Sequence, residues 1–131
     1  MKALDTNVIV RFLVNDDRSQ GRRARRLFQE AESSGDRLLI TRPVVLETTW
    51  VLSAVYGFTR DEVLRAVELL LQMPVLEFDD YDSMQQLVRL GRTTRADLSD
   101  LLIGLAGKAC GCEATVTFEK GLGDTGLFER L

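Results

Sequence analysis

Lys2-Ala3-Leu4-Asp5-Thr6-Asn7-Val8-Ile9-Val10-Arg11-Phe12-Leu13-Val14 reads as a strand that stops at an acid and turns directly into a helix. Lys2 to Leu4 is a short run expected to be buried, too apolar for a sheet edge. Thr6 to Val14 follows with helical spacing, capped by Asp5 or Thr6. A second helix is expected from about Ser19 to Ser33, with Ala24, Leu27, Phe28 and Ala31 on its apolar side. Ser34-Gly35-Asp36 then turns the chain into a second short strand, Leu38 to Ile40.

The same order returns downstream. Thr41-Arg42-Pro43 is a helix start, a capping threonine with proline in the first turn. That helix carries Val44 to Tyr56 and stops at Gly57. Thr59 and Glu62 form the signature of a capping box opening the next helix, which ends before Met73-Pro74. Val75 to Phe78 is a third strand. Asp79 or Asp80 caps a helix to about Gly91, and Asp97 to Ala109 is another, closed by Gly111. Ala114 to Phe118 is the last clear strand, and Gly126 to Leu131 suits a further edge strand. Strand–helix–helix repetition with apolar strands implies an α/β fold: a parallel sheet of about four to five short strands with helices on both faces, three layers in all. In such sheets ligands bind beyond the carboxyl ends of the strands, where Asp5 and Glu119 fall.

A chain of 131 residues is expected to be one domain, 1–131, with room for a core. No apolar run approaches a membrane span. The N-terminus carries charge at once and lacks the apolar stretch of a secretion signal, so a cytoplasmic location is expected. Histidine is absent, which excludes Ser-His-Asp hydrolysis, Cys-His proteolysis and histidine acid–base nucleolysis. Cys110 and Cys112 have too few companions for a zinc site and read as small, reduced, half-buried residues. The net charge of −3 is not that of a protein that coats nucleic acid. Its distribution is uneven: Arg11, Arg18, Arg22, Arg23, Arg25 and Arg26 face only Asp16 and Asp17, and Arg89, Arg92 and Arg95 lead into Asp97. Basic patches beside acids suit a polyanion approaching a metal. They also suit the solvated faces of amphipathic helices.

The acids carry the functional signal. Asp5 follows a strand directly, and a cap alone does not require it, because Thr6 or Asn7 would serve. Glu47 is the only charge between Pro43 and Tyr56, and helical spacing puts it on one face with Val44 and Val51. A carboxylate on a core-facing stripe costs several kcal/mol unless paired or bound to metal. Asp97 and Asp100 lie off the apolar stripe of Leu98, Leu101, Leu102, Leu105 and Ala106, and a helix start favours both. Two such charges roughly 5–6 Å apart repel by about 3 kcal/mol at an effective dielectric of 20, and a cation would reverse that sign. Glu119, after Thr117-Phe118, is an ordinary loop acid when taken alone, with Asp124 as a nearby rival. Together the five acids offer only oxygen, the donor set of a hard divalent cation.

Four stretches in register carry a family resemblance across nearly the whole chain. They are Leu4-Asp5-Thr6-Asn7-Val8-Ile9 with Arg11-Phe12-Leu13; Val45-Leu46-Glu47-Thr48-Thr49-Trp50-Val51-Leu52; Ala96-Asp97-Leu98-Ser99-Asp100-Leu101-Leu102-Ile103-Gly104; and Gly111-Cys112 with Thr115-Val116-Thr117-Phe118-Glu119-Lys120. They resemble the PIN-domain ribonucleases, most closely the VapC-type toxins of toxin–antitoxin pairs. The resemblance implies a PIN-like fold and an endoribonuclease in which Asp5, Glu47 and Asp100 are the central acids of an Mg²⁺ or Mn²⁺ site. Asp97 matches a further acid, and Thr6, Asn7 and Thr117 match polar supports. Glu119 departs from the usual aspartate after Thr-Phe, keeping the charge but reaching one methylene further. Also implied are an RNA substrate, a homodimer, a VapB-type antitoxin over the site, and contact with DNA only through that antitoxin. Two other readings remain on the residues alone. A phosphotransfer domain would also use strand-end acids around Mg²⁺, although Asn7 breaks an Asp-x-Asp pattern and a paired first-strand acid is missing. A catalytically weak or inert PIN-like module would act by partner binding.

Overall fold

The computed structural model describes residues 1–131 and divides them into two compact units, Met1–Asp79 and Asp80–Leu131. In the first unit the order is β1 (Lys2–Ala3), α1 (Thr6–Val14), α2 (Arg18–Ser34), β2 (Leu38–Ile40), α3 (Arg42–Ala54), α4 (Arg60–Leu71) and β3 (Leu76–Phe78). The strands form a parallel sheet in the order β1-β2-β3, with Ala3 opposite Leu39 and Ile40 opposite Phe78. Parallel pairing puts every strand's carboxyl end on one edge, so Asp5, Thr41 and Asp79 lie along it. The Leu4 N–H donates to the Leu39 carbonyl at 2.8 Å, which fixes the chain immediately before Asp5.

β1 is an end strand, contrary to the expectation of a fully buried one. Lys2 and Ala3 are exposed and only Leu4 reaches the core, because a two-residue ladder leaves the lysine stem in solvent. Ile9 and Val10 of α1 are buried, and Phe12 stacks on Phe28 of α2 with ring centroids 4.4 Å apart. Asp17 caps α2 by accepting from the Gln20 N–H at 2.9 Å, and Gly35 closes it in the left-handed region at φ 71°. At Gly21 a methyl group would come within 2.9 Å of Asn15 Oδ1, so glycine lets α2 lie close to the end of α1.

α3 starts differently from the sequence expectation. Thr41 occupies the cap position but makes no side-chain cap bond. The Asp79 carboxylate instead accepts from the Arg42 N–H at 3.2 Å and pairs with the Arg42 guanidinium at 3.3 Å. A carboxylate at a helix N-terminus satisfies a free donor and complements the helix dipole, so the acid after β3 does the work assigned to Thr41. α4 opens with the expected capping box: Thr59 accepts from the Glu62 N–H, and Glu62 reaches back to the Thr59 N–H at 3.1 Å.

The second unit runs α5 (Tyr81–Thr93), α6 (Leu98–Ala109), β4 (Thr115–Thr117), a 3-10 turn (Gly123–Thr125) and β5 (Phe128–Arg130). Asp80 caps α5 by accepting from the Ser83 N–H at 3.1 Å. β4 and β5 pair in parallel, with Thr117 opposite Arg130, so the expected edge strand exists and the chain has five strands. The α/β class with parallel pairing holds. Hydrogen bonds organise the strands as a ladder of three and a ladder of two. β4 is less buried than its composition suggests, since Val116 and the following Phe118 are exposed. α6 buries Leu101, Leu102 and Leu105, and its Gly104 lies against the segment before β5. Cys110 and Cys112 are exposed free thiols, not half-buried ones, because both lie beyond the last turn of α6, on either side of Gly111 at φ 85°.

Two stability predictions follow from these contacts. A Cβ at residue 104 would sit 2.8 Å from the Leu127 Cβ and 2.9 Å from the Phe128 ring, so Gly104→Ala should destabilise the protein by about 1–3 kcal/mol in urea unfolding. The bonds from Thr59, the backbone one foremost, hold the Glu62 carboxyl below the usual glutamate range. A depressed folded-state pKa contributes stability above the unfolded value of about 4.3 and loses it as pH falls through the lower folded value. The stability difference between the parent and Glu62→Gln should therefore be largest at neutral pH and shrink on acidification below about pH 4.3, as measured by thermal melts across that range.

Candidate functional site

Asp5 and Glu47 share a pocket. With Thr6, Asn7, Val10 and Arg11 from the start of α1, and Val51, Val55 and Tyr56 from α3 and its end, they line a cavity of about 240 Å³ in the first unit. Asp5 reaches it because β1 ends at Ala3 and, one residue beyond Leu4, the chain turns to make Asp5 the cap of α1. Its Oδ1 accepts from the adjacent Thr6 N–H at 2.8 Å. That bond engages the first helical residue only and leaves Oδ2 unengaged, so capping accounts for part of this side chain. Glu47 enters from the flank of α3.

Its surroundings correct one expectation. The buried face of α3 is Val45, Thr48, Thr49 and Leu52, and Glu47 is exposed. The stripe of Val44, Glu47 and Val51 is rotated away from that face, and both valines are only half-buried. Two threonines occupy core positions that a scan for aliphatic residues passes over. Neither Asp5 nor Glu47 forms an ion pair, although Arg11 lines the same pocket. Thr6 is buried and its Oγ1 has no hydrogen-bond partner, as is also true of Thr48. An unpartnered buried hydroxyl is costly in an apolar setting, and Thr6 lines the pocket beside the oxygen-bearing Asp5, Asn7 and Glu47 as well as three valines.

Arg11 is held by three neighbours. Its Nε donates to Gln20 Oε1 at 2.7 Å, and its Nη1 donates to the Tyr56 hydroxyl at 2.9 Å and to Asp16 Oδ1 at 3.3 Å. Tyr56 in turn donates to Asp16 Oδ2 at 2.8 Å. The bond to Tyr56, foremost, and the charge of Asp16 raise the Arg11 pKa further, against a smaller opposing effect of burial. The sequence shows Arg11 only as one of a basic group and does not single out Tyr56 at all. The available signal was the i, i+4 spacing of Asn7 and Arg11, which puts both on one side of α1.

The remaining acids lie in the second unit. Asp97 stands at the cap of α6 but makes no side-chain cap bond, so the helix dipole is the structural role left to it. Asp100 is half-buried in the first turn of that helix. Glu119 is exposed and lines a pocket of about 260 Å³ with Thr117, Lys120 and Arg130, among others. Its N–H donates to Thr117 Oγ1 at 3.1 Å, so Thr117 shapes the turn that carries it. No three acidic or cysteine side chains form a group placed to hold a metal ion. The pair in the first unit still suits a hard cation. Magnesium characteristically keeps several waters and takes only one or two protein carboxylates plus substrate phosphate, and Asp5 and Glu47 with Thr6 and Asn7 nearby provide oxygen donors only.

No helix is long and apolar enough to cross a membrane. A VapC ribonuclease of Aquifex aeolicus (strain VF5) is 23% identical over 118 residues, covering 90% of this chain and 87% of that protein. No solved structure matches. The PIN domain family matches residues 2–126, a span that includes Asp5, Glu47, Asp97, Asp100 and Glu119. The chain belongs to the PIN domain family.

Proposed function

We propose that the chain is a metal-dependent endoribonuclease, the toxin of a VapBC-like pair. The observation that carries this reading is the sharing of one pocket, at the carboxyl edge of a parallel sheet, by two carboxylates that have no cationic partner. Such a pocket attracts a divalent cation, and a polyanionic substrate can approach it only with that cation present. RNA as substrate and a VapB-type antitoxin as inhibitor rest on the likeness to the Aquifex protein's name and on the four sequence stretches. A homodimer, a cytoplasmic location and DNA contact only through the antitoxin belong to the same proposal.

In the first unit Asp5 is the proposed metal ligand, and Glu47 completes its shell or orients the attacking water. The likeness of the four sequence stretches adds Asp100, Asp97 and Glu119 as further acids on which cleavage is proposed to depend. Bound there, Mg²⁺ or Mn²⁺ would supply positive charge against the scissile phosphate and lower the pKa of water toward neutrality. The chain's own residues do the rest. Thr6 N–H holds one Asp5 oxygen and leaves the other directed to binding. Glu47, exposed and unpaired, is free to accept a proton from a water that attacks phosphorus. Asn7 offers an amide to the ribose–phosphate strand from the same wall. The chain has no histidine, and at neutral pH its carboxylates are the side chains already ionised to accept a proton.

Asp5→Asn keeps an acceptor for the cap but removes the charge. It should lower Mg²⁺-dependent cleavage of a fluorescent RNA by more than the about 10–100-fold typical of losing a group that only supports a metal ligand. Equal cleavage by folded parent and variant would end the reading. Mn²⁺ at about 100 times its dissociation constant should stabilise the parent by about 2.7 kcal/mol, several degrees in a thermal melt. Glu47→Gln should lose most of that shift. A parent that binds an antitoxin peptide but shows neither cleavage nor a metal shift would be the inert binding module. Covalent labelling by acetyl phosphate would point to phosphotransfer.

A further inference from the structure

Arg11 lines two adjoining pockets of the first unit: the acid-bearing one and a larger cavity of about 350 Å³ between α1 and α2. Asn7 also lines both, and Gln20 and Arg23 add polar and basic groups to the second. The guanidinium is pinned from three directions by Gln20, Asp16 and Tyr56, which leaves Nη2 without a protein acceptor. An arginine beside two unpaired carboxylates would ordinarily swing onto one of them. Here the tethers hold Nε and Nη1, and no ion pair to Asp5 or Glu47 forms. A pre-oriented fork with one free end suits a phosphate oxygen, because a planar guanidinium fixed in advance loses little rotamer freedom on binding.

We propose that Arg11 is a substrate-positioning residue, whose Nη2 holds a backbone phosphate of a single-stranded RNA running from the acid pocket into the cavity between α1 and α2. This rests on the ribonuclease reading and adds the path of the strand to it. Tyr56 and Asp16 act through Arg11: they aim it and keep it off the acids. The phosphate it holds is not the one cleaved, so its loss affects strand binding more than the chemical step.

The test uses full-length protein with Ca²⁺ in place of Mg²⁺, to occupy the oxygen donors without supporting cleavage, and a short fluorescein-labelled single-stranded RNA, with anisotropy read over a salt series. Arg11→Gln should weaken binding about tenfold and reduce the slope of log K against log salt by about 0.7, the value for one lost phosphate contact on a single strand. Arg11→Lys should keep the slope but not the full affinity, because a point charge cannot use the three-way tether. In the cleaving protein, Tyr56→Phe should raise KM severalfold with kcat nearly unchanged. It retains the charge and so reports on aiming even if Arg11→Gln fails to fold. A folded Arg11→Gln protein with unaltered affinity and slope, or a Tyr56→Phe protein with unaltered KM, would overturn this inference and leave the ribonuclease reading standing. A parent that binds no RNA would overturn both.

Discussion

The parallel pairing of β1 with β2 is the constraint on which the candidate site depends. It is a ladder of two residues, closed by the bond from Leu4 to Leu39, and it fixes where the chain leaves the sheet. Because the strands run the same way, the acid after β1 and the helix after β2 emerge on one edge. α3 then carries Glu47 back toward Asp5 with no specific contact between the two acids. Direct packing of α1 against α3 completes the approach of residues 5 and 47 to one cavity. The Asp79 carboxylate adds a tie by engaging the first N–H of α3, so the end of β3 also anchors the start of that helix.

Electrostatically the pocket is divided. Asp5 and Glu47 stand without countercharge, while Arg11, in the same wall, is committed to Asp16 and Tyr56. A positive group that could neutralise the acids is present but restrained, which leaves their negative potential available to a mobile cation. The buried Thr6 hydroxyl, beside these acids, has no hydrogen-bond partner. Family membership follows from a match over residues 2–126 and gives these features a context.

Local rules made much of the fold legible. The capping box of Thr59 and Glu62, the left-handed glycine closing α2 and the strand-to-helix switch at Asp5 depend on neighbours within a few residues, and each appears as the sequence implies. The misreadings involve partners distant in the chain. Thr41 has the right chemistry for a cap, but Asp79 is folded against the same N–H. Glu47 seemed to lie on a core stripe because Val44 and Val51 share its spacing. The actual core face uses Thr48 and Thr49, whose methyls pack while their hydroxyls escape an apolar count. The tie between Arg11 and Tyr56 spans 45 positions, and no periodicity reports it. The candidate acids stand out in the sequence by residue type, and Asp5 also by its place at a strand end. Exposure and hydrogen-bond partners were not.

The junction at Arg11 joins α1, the turn carrying Asp16, the first turn of α2 and the residue two beyond the end of α3 through four side chains, of which Arg11, Asp16 and Tyr56 close a ring and Gln20 bonds Arg11 alone. Linked sets of this kind lose their members' effects together. Once one tether is cut, the others hold a geometry that no longer exists, so a second substitution does little further harm. Changes at positions 11, 16, 20 and 56 should therefore be strongly epistatic. A lineage could exchange the whole quartet for another solution more readily than it could replace its members one at a time.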